Sequence, residues 1–459
     1  MQDRRIIITV AVIILLLILG GLYLTFTPEV VSFTPQDETG GMPRITAIEI
    51  TFSRAMNHDS VMEQLSITPV VAGEFTWEEN TLHFTPVEFW PTGNKVTVSL
   101  AEGAKSKLGL GLSEGLEFSF TIHPIMLTYL WPASGDAELY ALDPDGGDVL
   151  QLTNAGGVLD YEVGLDGLQI YYSANNKLGG SDLYVLDRYP GTSTRLLSCE
   201  RALCTDIALS PDGKLLAYQR NDSEIWLLDL DAEEEEIVSA KGHSTRLPIW
   251  SPDGRLTYYD ADETAYIILD IDTGDEQELE NLTGELGDWS PYGKIFVAPE
   301  MFVNVTSILR GPTGEVSNQP VDPEELDPVR VLSSHLMSYA WETDIVIRLT
   351  TDEQAEDAGP SFSPDGIWLA FTRRYLDPIR WTPGRQVWLL STDGTNIQQL
   401  TNDPNYKYTA LTWHPDGTRI AVVRFNTTLL TDPPELWLLE LDGDAVQLVI
   451  GGYAPQWIP

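Results

Sequence analysis

Arg373, Arg374, Arg380 and Arg385 stand close together in the chain, interleaved with Tyr375 and Trp381. Guanidinium groups beside aromatic rings are the side chains enriched where proteins grip partners, so these six residues are candidates for a partner-binding surface. The competing reading is that the arginines neutralise nearby acids such as Asp377 and Glu353.

Other residues suggest more specific chemistry. Cys199 and Cys204 are the only cysteines of the chain. In an oxidising compartment they are expected to close a small disulfide loop, since two thiolates alone do not make a zinc site. Asp143, Asp145 and Asp148 have the oxygen-rich spacing of a structural calcium loop. The same turn position recurs as Asp393-Gly394 and Asp442-Gly443-Asp444, where an acidic hairpin needs no ion. Gly111-Leu112-Ser113-Glu114-Gly115 fits the nucleophile-elbow pattern, yet an elbow requires a strand-to-helix turn with a distant Asp and His, and this stretch reads as a polar loop. His58, His83, His123, His243, His335 and His414 are scattered and form no H-E-x-x-H helix. The pattern points to no catalytic residue and no cofactor, and to at most a structural calcium at the aspartate turn.

The elements that must position these groups announce themselves by repetition. Ser-Pro-Asp-Gly occurs at Ser210–Gly213, Ser251–Gly254 and Ser363–Gly366, with variants at Gly164–Gly167, Ser290–Gly293 and His414–Gly417. Pro presets one turn dihedral, Asp hydrogen-bonds nearby backbone and Gly takes positive φ, so each copy reads as a hairpin turn between apolar runs. A third run follows, as in Glu224-Ile225-Trp226-Leu227-Leu228-Asp229, and a fourth closes the unit. Four short strands per 40 to 50 residues is the period of a propeller blade. Tyr453–Pro459 reads as a first strand whose remaining three strands are Met126–Trp131, Glu138–Asp143 and Asp148–Thr153, so the ring is expected to close by pairing its two ends in a seven-bladed propeller. Residues 302 to 334 read as an insertion, and six blades is the alternative.

This repeat resembles the TolB-type propeller repeat over residues 125–459. The resemblance implies the fold and not an activity. In such a blade the second-to-third and blade-to-blade loops share one face. The long segments 174–181, 302–334, 373–385 and 425–434, with 197–205, 351–359 and 401–408, all fall there, so that face is expected to carry function.

Ahead of the propeller, residues 29–124 alternate polar and apolar side chains in short strands, including Thr46–Phe52, Thr81–Phe84 and Val96–Leu100, as a β-sandwich does. The run Ile50-Thr51-Phe52-Ser53-Arg54-Ala55-Met56-Asn57, then Ser66–Pro69 and Leu82–Pro86, resembles the SbsA-type bacterial Ig-like domain. That resemblance implies an extracytoplasmic spacer or adhesive module.

Residues 1–28 comprise a short charged tip and the uncharged run Ile6–Phe26. About 20 apolar residues cross a bilayer as a helix. Arg4 and Arg5 ahead of the run place the N-terminus in the cytoplasm and the remainder outside; a cleaved signal peptide is the other reading of the same pattern. The chain has a formal charge of −42, which makes nucleic acid and anionic lipid headgroups poor partners.

The sequence therefore predicts an all-β protein with an N-terminal transmembrane helix, an Ig-like sandwich and a propeller. It is expected in the bacterial cytoplasmic membrane as a single-pass binding or scaffold protein, presenting a loop face to an envelope protein or glycan. The alternative is an extracytoplasmic enzyme, a hydrolase or lyase acting on polysaccharide or peptide in the propeller funnel.

Overall fold

A computed structural model describes residues 26–147, 149–189, 191–307, 328–343 and 345–458. The expected membrane-spanning run up to Thr25 lies outside these residues, as does Asp148. No helix among the described residues is long and apolar enough to cross a membrane. The chain divides into two compact units, Met1–Ile125 and Met126–Pro459.

The first unit holds two four-stranded sheets. One orders its strands as Val30–Thr34, Ile48–Phe52, Thr81–Pro86 and Gly73–Glu78; the other as Thr39–Met42, Leu116–Ile122, Lys95–Leu100 and Leu65–Thr68. Alternation does the work here. Ile48, Ile50 and Phe52 are buried while Glu49 between them is exposed. Phe118 and Phe120 add their rings to the same core, each side chain stabilising by about 1.5–3 kcal/mol on burial. Trp90 is fully buried and satisfies its indole N–H on Thr46 O at 2.8 Å. The Ser53–Asn57 run does not continue as strand. Asn57 instead caps a short helix, His58–Gln64, by accepting the Ser60 N–H at 3.1 Å.

The second unit is a ring of seven four-stranded blades. Blade two runs Val158–Val163, Gln169–Asn175, Ser181–Asp187 and Thr192–Ser198, and blades three, four and seven repeat the pattern. Blade one is assembled from both ends: Tyr453–Ile458 pairs antiparallel with Met126–Trp131, followed outward by Glu138–Leu142 and Val149–Gln151. In blade five the inferred insertion begins as an extension of regular strands. Ile295–Ser307 and Pro328–Ala340 pair continuously from Ile295 opposite Ala340 to Ser307 opposite Pro328. Asp288–Trp289 and Ile345–Arg348 complete that blade, so the alternative of six blades falls. Blades five and six are joined by one further parallel pairing, Ser334 with Glu356.

The serine of the repeated turn is used at both ends of its hydroxyl. Ser210 Oγ donates to Asp212 Oδ1 at 2.7 Å and accepts the Leu215 N–H at 2.9 Å, while Gly213 takes φ 73°. Ser363 repeats this with Asp365 at 2.6 Å and Trp368 at 2.9 Å. The residue before the turn is often tryptophan, and its N–H reaches back to the preceding blade: Trp250 to Ala208 O at 3.0 Å, Trp413 to Ser361 O at 3.0 Å and Trp457 to Thr412 O at 3.2 Å. Each such indole fills the wedge between blades with a large ring and leaves no unpaired donor.

Candidate functional site

The arginine cluster lies in blade six, where Ala355–Phe362 pairs with Trp368–Tyr375. Asp357 stands directly opposite Arg373 and Glu356 opposite Arg374. Arg373 is only 5% exposed and makes a two-pronged ion pair with the fully buried Asp357, at 2.6 and 2.8 Å. It therefore cannot serve as a partner contact: desolvation without that carboxylate would be prohibitive, and the pair is part of the core. Arg374 bonds Glu356, and Arg385 bonds the same Glu356 at 2.8 Å and approaches Glu285 at 3.6 Å. Although burial pushes Glu356 upward, those two guanidiniums hold its carboxyl below the ordinary range. Arg380 bridges Asp377 at 2.6 Å and Asp352 at 2.8 Å, with its guanidinium 3.9 Å from the Tyr375 ring. The acids named from sequence divide accordingly: Asp377 takes Arg380, whereas Glu353 takes Arg348 at 3.0 Å.

The cluster thus displays little free charge; it builds a rigid loop. Asp377 Oδ1 accepts the N–H groups of Ile379 and Arg380 at 3.1 and 3.0 Å, and Asp377 O accepts that of Trp381 at 2.9 Å. What the loop exposes is apolar, with Ile379 at 94% and Trp381 at 55%. The corresponding loop of blade seven is tied in the same way, Asn426 Oδ1 accepting from Thr428 and Leu429 at 3.0 and 3.1 Å, and it exposes Leu429 and Leu430 at 57% and 87%. Both loops connect second to third strands, as does the long hairpin of blade five, so all three leave the propeller on one face.

The other group assembled by the fold is on the inner strands around the central channel. Each carboxylate or amide here ties one blade to the next. Asp160 Oδ2 accepts the Ile207 N–H at 2.8 Å, Asp288 Oδ2 that of Phe362 at 2.7 Å, and Gln456 Oε1 that of Val163 at 3.0 Å. Gln456 Nε2 donates to Glu162 Oε2 at 3.1 Å. These side chains keep some accessible surface, but protein atoms surround them. Burial accordingly pushes Asp160 up to about 6, Asp288 to about 7 and Glu162, with Asp160 as a like-charged neighbour, to about 8. The sequence reading did not find them. The available signal was positional, since Glu162 and Asp288 each stand two residues ahead of a turn, where Ala208 and Ile249 stand in blades three and four.

The remaining candidates are structural. Cys199 and Cys204 are joined and buried. Asp145 pairs with Arg419, which reaches from blade seven at 2.8 and 3.2 Å, and Asp143 Oδ1 accepts the Asp145 N–H at 3.0 Å, so a guanidinium clamps the turn considered for calcium, whose third aspartate lies outside the described residues. Ser113 lies in an exposed bend with its N–H on Pro28 O at 2.9 Å, and no helix follows it. Among the described residues His243, Asp260 and Asp262 stand close enough for a cation. Their atoms are already used: Asp260 pairs with His243 at 2.8 Å and accepts the Asp262 N–H at 3.0 Å, and Asp262 accepts the Ser244 N–H at 2.6 Å.

Residues 25–122 match the bacterial Ig-like domain family. Over 134 residues the chain is 28% identical to the uncharacterized protein Atu1656 of Agrobacterium fabrum, covering 26% of this chain and 43% of that one. The chain thus spans less than half the length of this curated relative. Among solved structures it is similar to TolB from Acinetobacter baumannii (14% identity, covering 86% of this chain and 83% of that one, TM-score 0.43). It is also similar to the β-propeller domain of the Trilobed protease from Pyrococcus furiosus (12%, 78% and 93%, 0.44) and to an oligogalacturonate lyase in complex with manganese (15%, 71% and 84%, 0.47). The structural neighbours are TolB and other β-propeller proteins.

Proposed function

We propose that this protein is an extracytoplasmic binding module, anchored in the bacterial cytoplasmic membrane by a helix over Ile6–Phe26, whose propeller offers the loop face of blades five to seven to an envelope protein. The observation that carries the reading is the loop 376–385, where the ion pairs of Arg380 with Asp352 and Asp377 and of Arg385 with Glu356 hold a segment that leaves Ile379 at 94% exposure. Ordering a loop to expose an isoleucine opposes folding unless something else covers it, and preorganised apolar anchors are what binding surfaces use. Apolar tips at Ile379, Trp381 and Leu430 favour a protein partner over a glycan. The charge pattern around Arg4 and Arg5 supports the anchor and its orientation.

The test is crosslinking on intact cells with the full-length tagged chain, followed by mass spectrometry. A defined envelope protein captured through residues 376–385 or 427–434, and lost on combining Ile379→Asp with Leu430→Asp, is the expected result. Undiminished capture by that variant would sink the assignment of this face. Retention of the protein in membranes after alkaline carbonate washing tests the anchor; release into the supernatant would remove it.

A second reading, an extracytoplasmic hydrolase or lyase acting on polysaccharide or peptide in the funnel, draws on one observation. Glu162 and Asp288 hold their protons near neutrality, as a general acid must. Both side chains already bridge blades, which gives their protonation a structural use. Turnover of a polysaccharide or peptide library that disappears in Glu162→Gln and Asp288→Asn would establish this reading; turnover unaffected by both would end it.

A further inference from the structure

The opposite face of the propeller, where the Ser-Pro-Asp-Gly turns lie, contains a cage that the protein fills in one wedge and leaves open in the next. Between blades four and five the cage is full. Arg255 Nη2 sits 2.7 Å from Asp253 Oδ2 and 2.6 Å from Gly293 O, with the guanidinium 5.4 Å from the Trp289 ring and 4.6 Å from that of Trp341. Arg255 is the first residue of its strand, paired with Asp270. Between blades seven and one, Arg419 holds the same first position, paired with Glu440, and likewise crosses to the next blade at Asp145.

Between blades three and four the first residue is Leu215, paired with Asp229. Its backbone oxygen accepts the Ser210 N–H at 2.8 Å just as Arg255 O accepts that of Ser251 at 2.8 Å, which fixes the two positions as equivalent. The other parts of the cage are present except for one aromatic wall. Asp212 replaces Asp253, Gly254 replaces Gly293, Trp250 replaces Trp289, and Ile271 replaces Trp341 at the one position without an aromatic ring. These residues line a cavity of about 350 Å³. Asp212 Oδ1 accepts from Ser210 and from the Lys214 N–H, and its Oδ2 pairs with the exposed Lys214 ammonium at 3.5 Å. The wedge is a guanidinium cage in which the guanidinium has been replaced by leucine.

The geometry points to a binding site in this wedge for an arginine side chain of a protein partner, distinct from the loop face proposed above. Asp212 and the Gly254 carbonyl would accept its N–H donors while Trp250 supplies an aromatic wall, as Asp253, the Gly293 carbonyl and Trp289 do for Arg255. Lysine fits less well: its ammonium could meet both acceptors, as Arg255 Nη2 alone does, but it has no planar face to lay against the indole. The acidic balance of the chain, −42 overall, favours the approach of such a cationic segment.

The test uses the full chain with N-acetyl-arginine methylamide as probe, followed by saturation-transfer NMR, and the neutral N-acetyl-citrulline methylamide as control. Wild type is expected to bind the arginine probe at least tenfold more tightly than the citrulline one. Asp212→Asn should weaken it at least tenfold, and Leu215→Arg, which plugs the cage from within, should abolish it. Leu215→Arg is also expected to keep the wild-type melting temperature or raise it, because its cage is already built; Leu215→Arg with Asp212→Asn should lose that. Absence of arginine binding to wild type, equal affinity for citrulline, or unchanged affinity in the folded Asp212→Asn protein would each overturn the site.

Discussion

Gln456 and Glu162, 294 residues apart in sequence, share a hydrogen bond of 3.1 Å between the C-terminal strand of blade one and the inner strand of blade two. The same glutamine accepts from Val163 N and donates to Tyr161 O, both at 3.0 Å, so one side chain makes three of the bonds that close the ring. The Gln456 donor favours the ionised carboxyl, but burial and the like-charged Asp160 outweigh it. Its proton is therefore retained to about pH 8 in the folded state.

Retention of that proton makes ring stability depend on pH. The unfolded chain releases it near 4.5 and the folded one near 8, so folding takes up a proton between those limits and stability falls as pH rises through the window. Asp288 and Asp160 add smaller losses in the same direction, toward about 7 and about 6. Glu162→Gln removes its share. In urea titrations it is expected to match wild type at pH 4 and to exceed it at pH 9 by roughly 1–3 kcal/mol, less than the full shift because the side chain is partly exposed. Parallel pH curves for the two proteins would contradict this.

The buried pair of blade six gives a second expectation. Arg373→Ala leaves Asp357 charged and without its two donors in a site it cannot leave, at a cost of about 3–5 kcal/mol. Replacing both partners together, Arg373→Met with Asp357→Leu, should recover most of that loss, because no uncompensated charge remains. A double variant as unstable as the single one would mean that the pair contributes more than mutual neutralisation.

Why this pair escaped sequence analysis while the blades did not is a matter of register. The turn Ser363–Gly366 is local chemistry and can be read directly. Counting outward from it places Arg374 opposite Asp357, yet a bulge between Ala358 and Ser361 shifts the strands by one residue and brings Arg373 there instead. The same limit hid the channel. Glu162 finds Gln456 only after seven blades have closed the ring, and no spacing in the chain encodes that meeting. The arginines were legible as a cluster and acid neutralisation as their competing role, but of the acids named only Asp377 pairs within the cluster; Asp357, Glu356 and Asp352 stand on a neighbouring strand and in another connection. Asn57 was visible as a motif residue, and its capping of a helix was not inferred from the strand pattern around it.

The Cys199–Cys204 bridge closes a loop with a sequence separation of 5, for which chain entropy gives about 2 kcal/mol. The bridge is not alone. Cys199 N bonds Asp182 at 3.2 Å and Cys204 N bonds Ser181 Oγ at 2.8 Å, so the loop is fixed to the neighbouring strand by independent contacts. Cys199→Ser with Cys204→Ser is expected to lower stability by about 2 kcal/mol while leaving the fold intact, with faster amide exchange confined to the loop around 199–204. Exchange spreading through blades two and three would show that the bridge holds more than its own loop.

Arg380 separates local from global order. Its side chain is 42% exposed, so the ion pairs to Asp352 and Asp377 are screened and their loss in Arg380→Ala should cost the whole domain less than about 1 kcal/mol. The loop should respond far more, because that guanidinium also packs on Tyr375 and joins the loop to the connection from blade five. Amide exchange is expected to accelerate across 376–385, with the core strands Trp368–Tyr375 and Gln386–Ser391 unchanged. If the rigid presentation of Ile379 is what binds, capture of a partner through this face falls in Arg380→Ala even though Ile379 itself is untouched. Capture that persists while the loop exchanges freely would mean that the apolar tip binds without preorganisation, and that the ion pairs serve only the isolated protein.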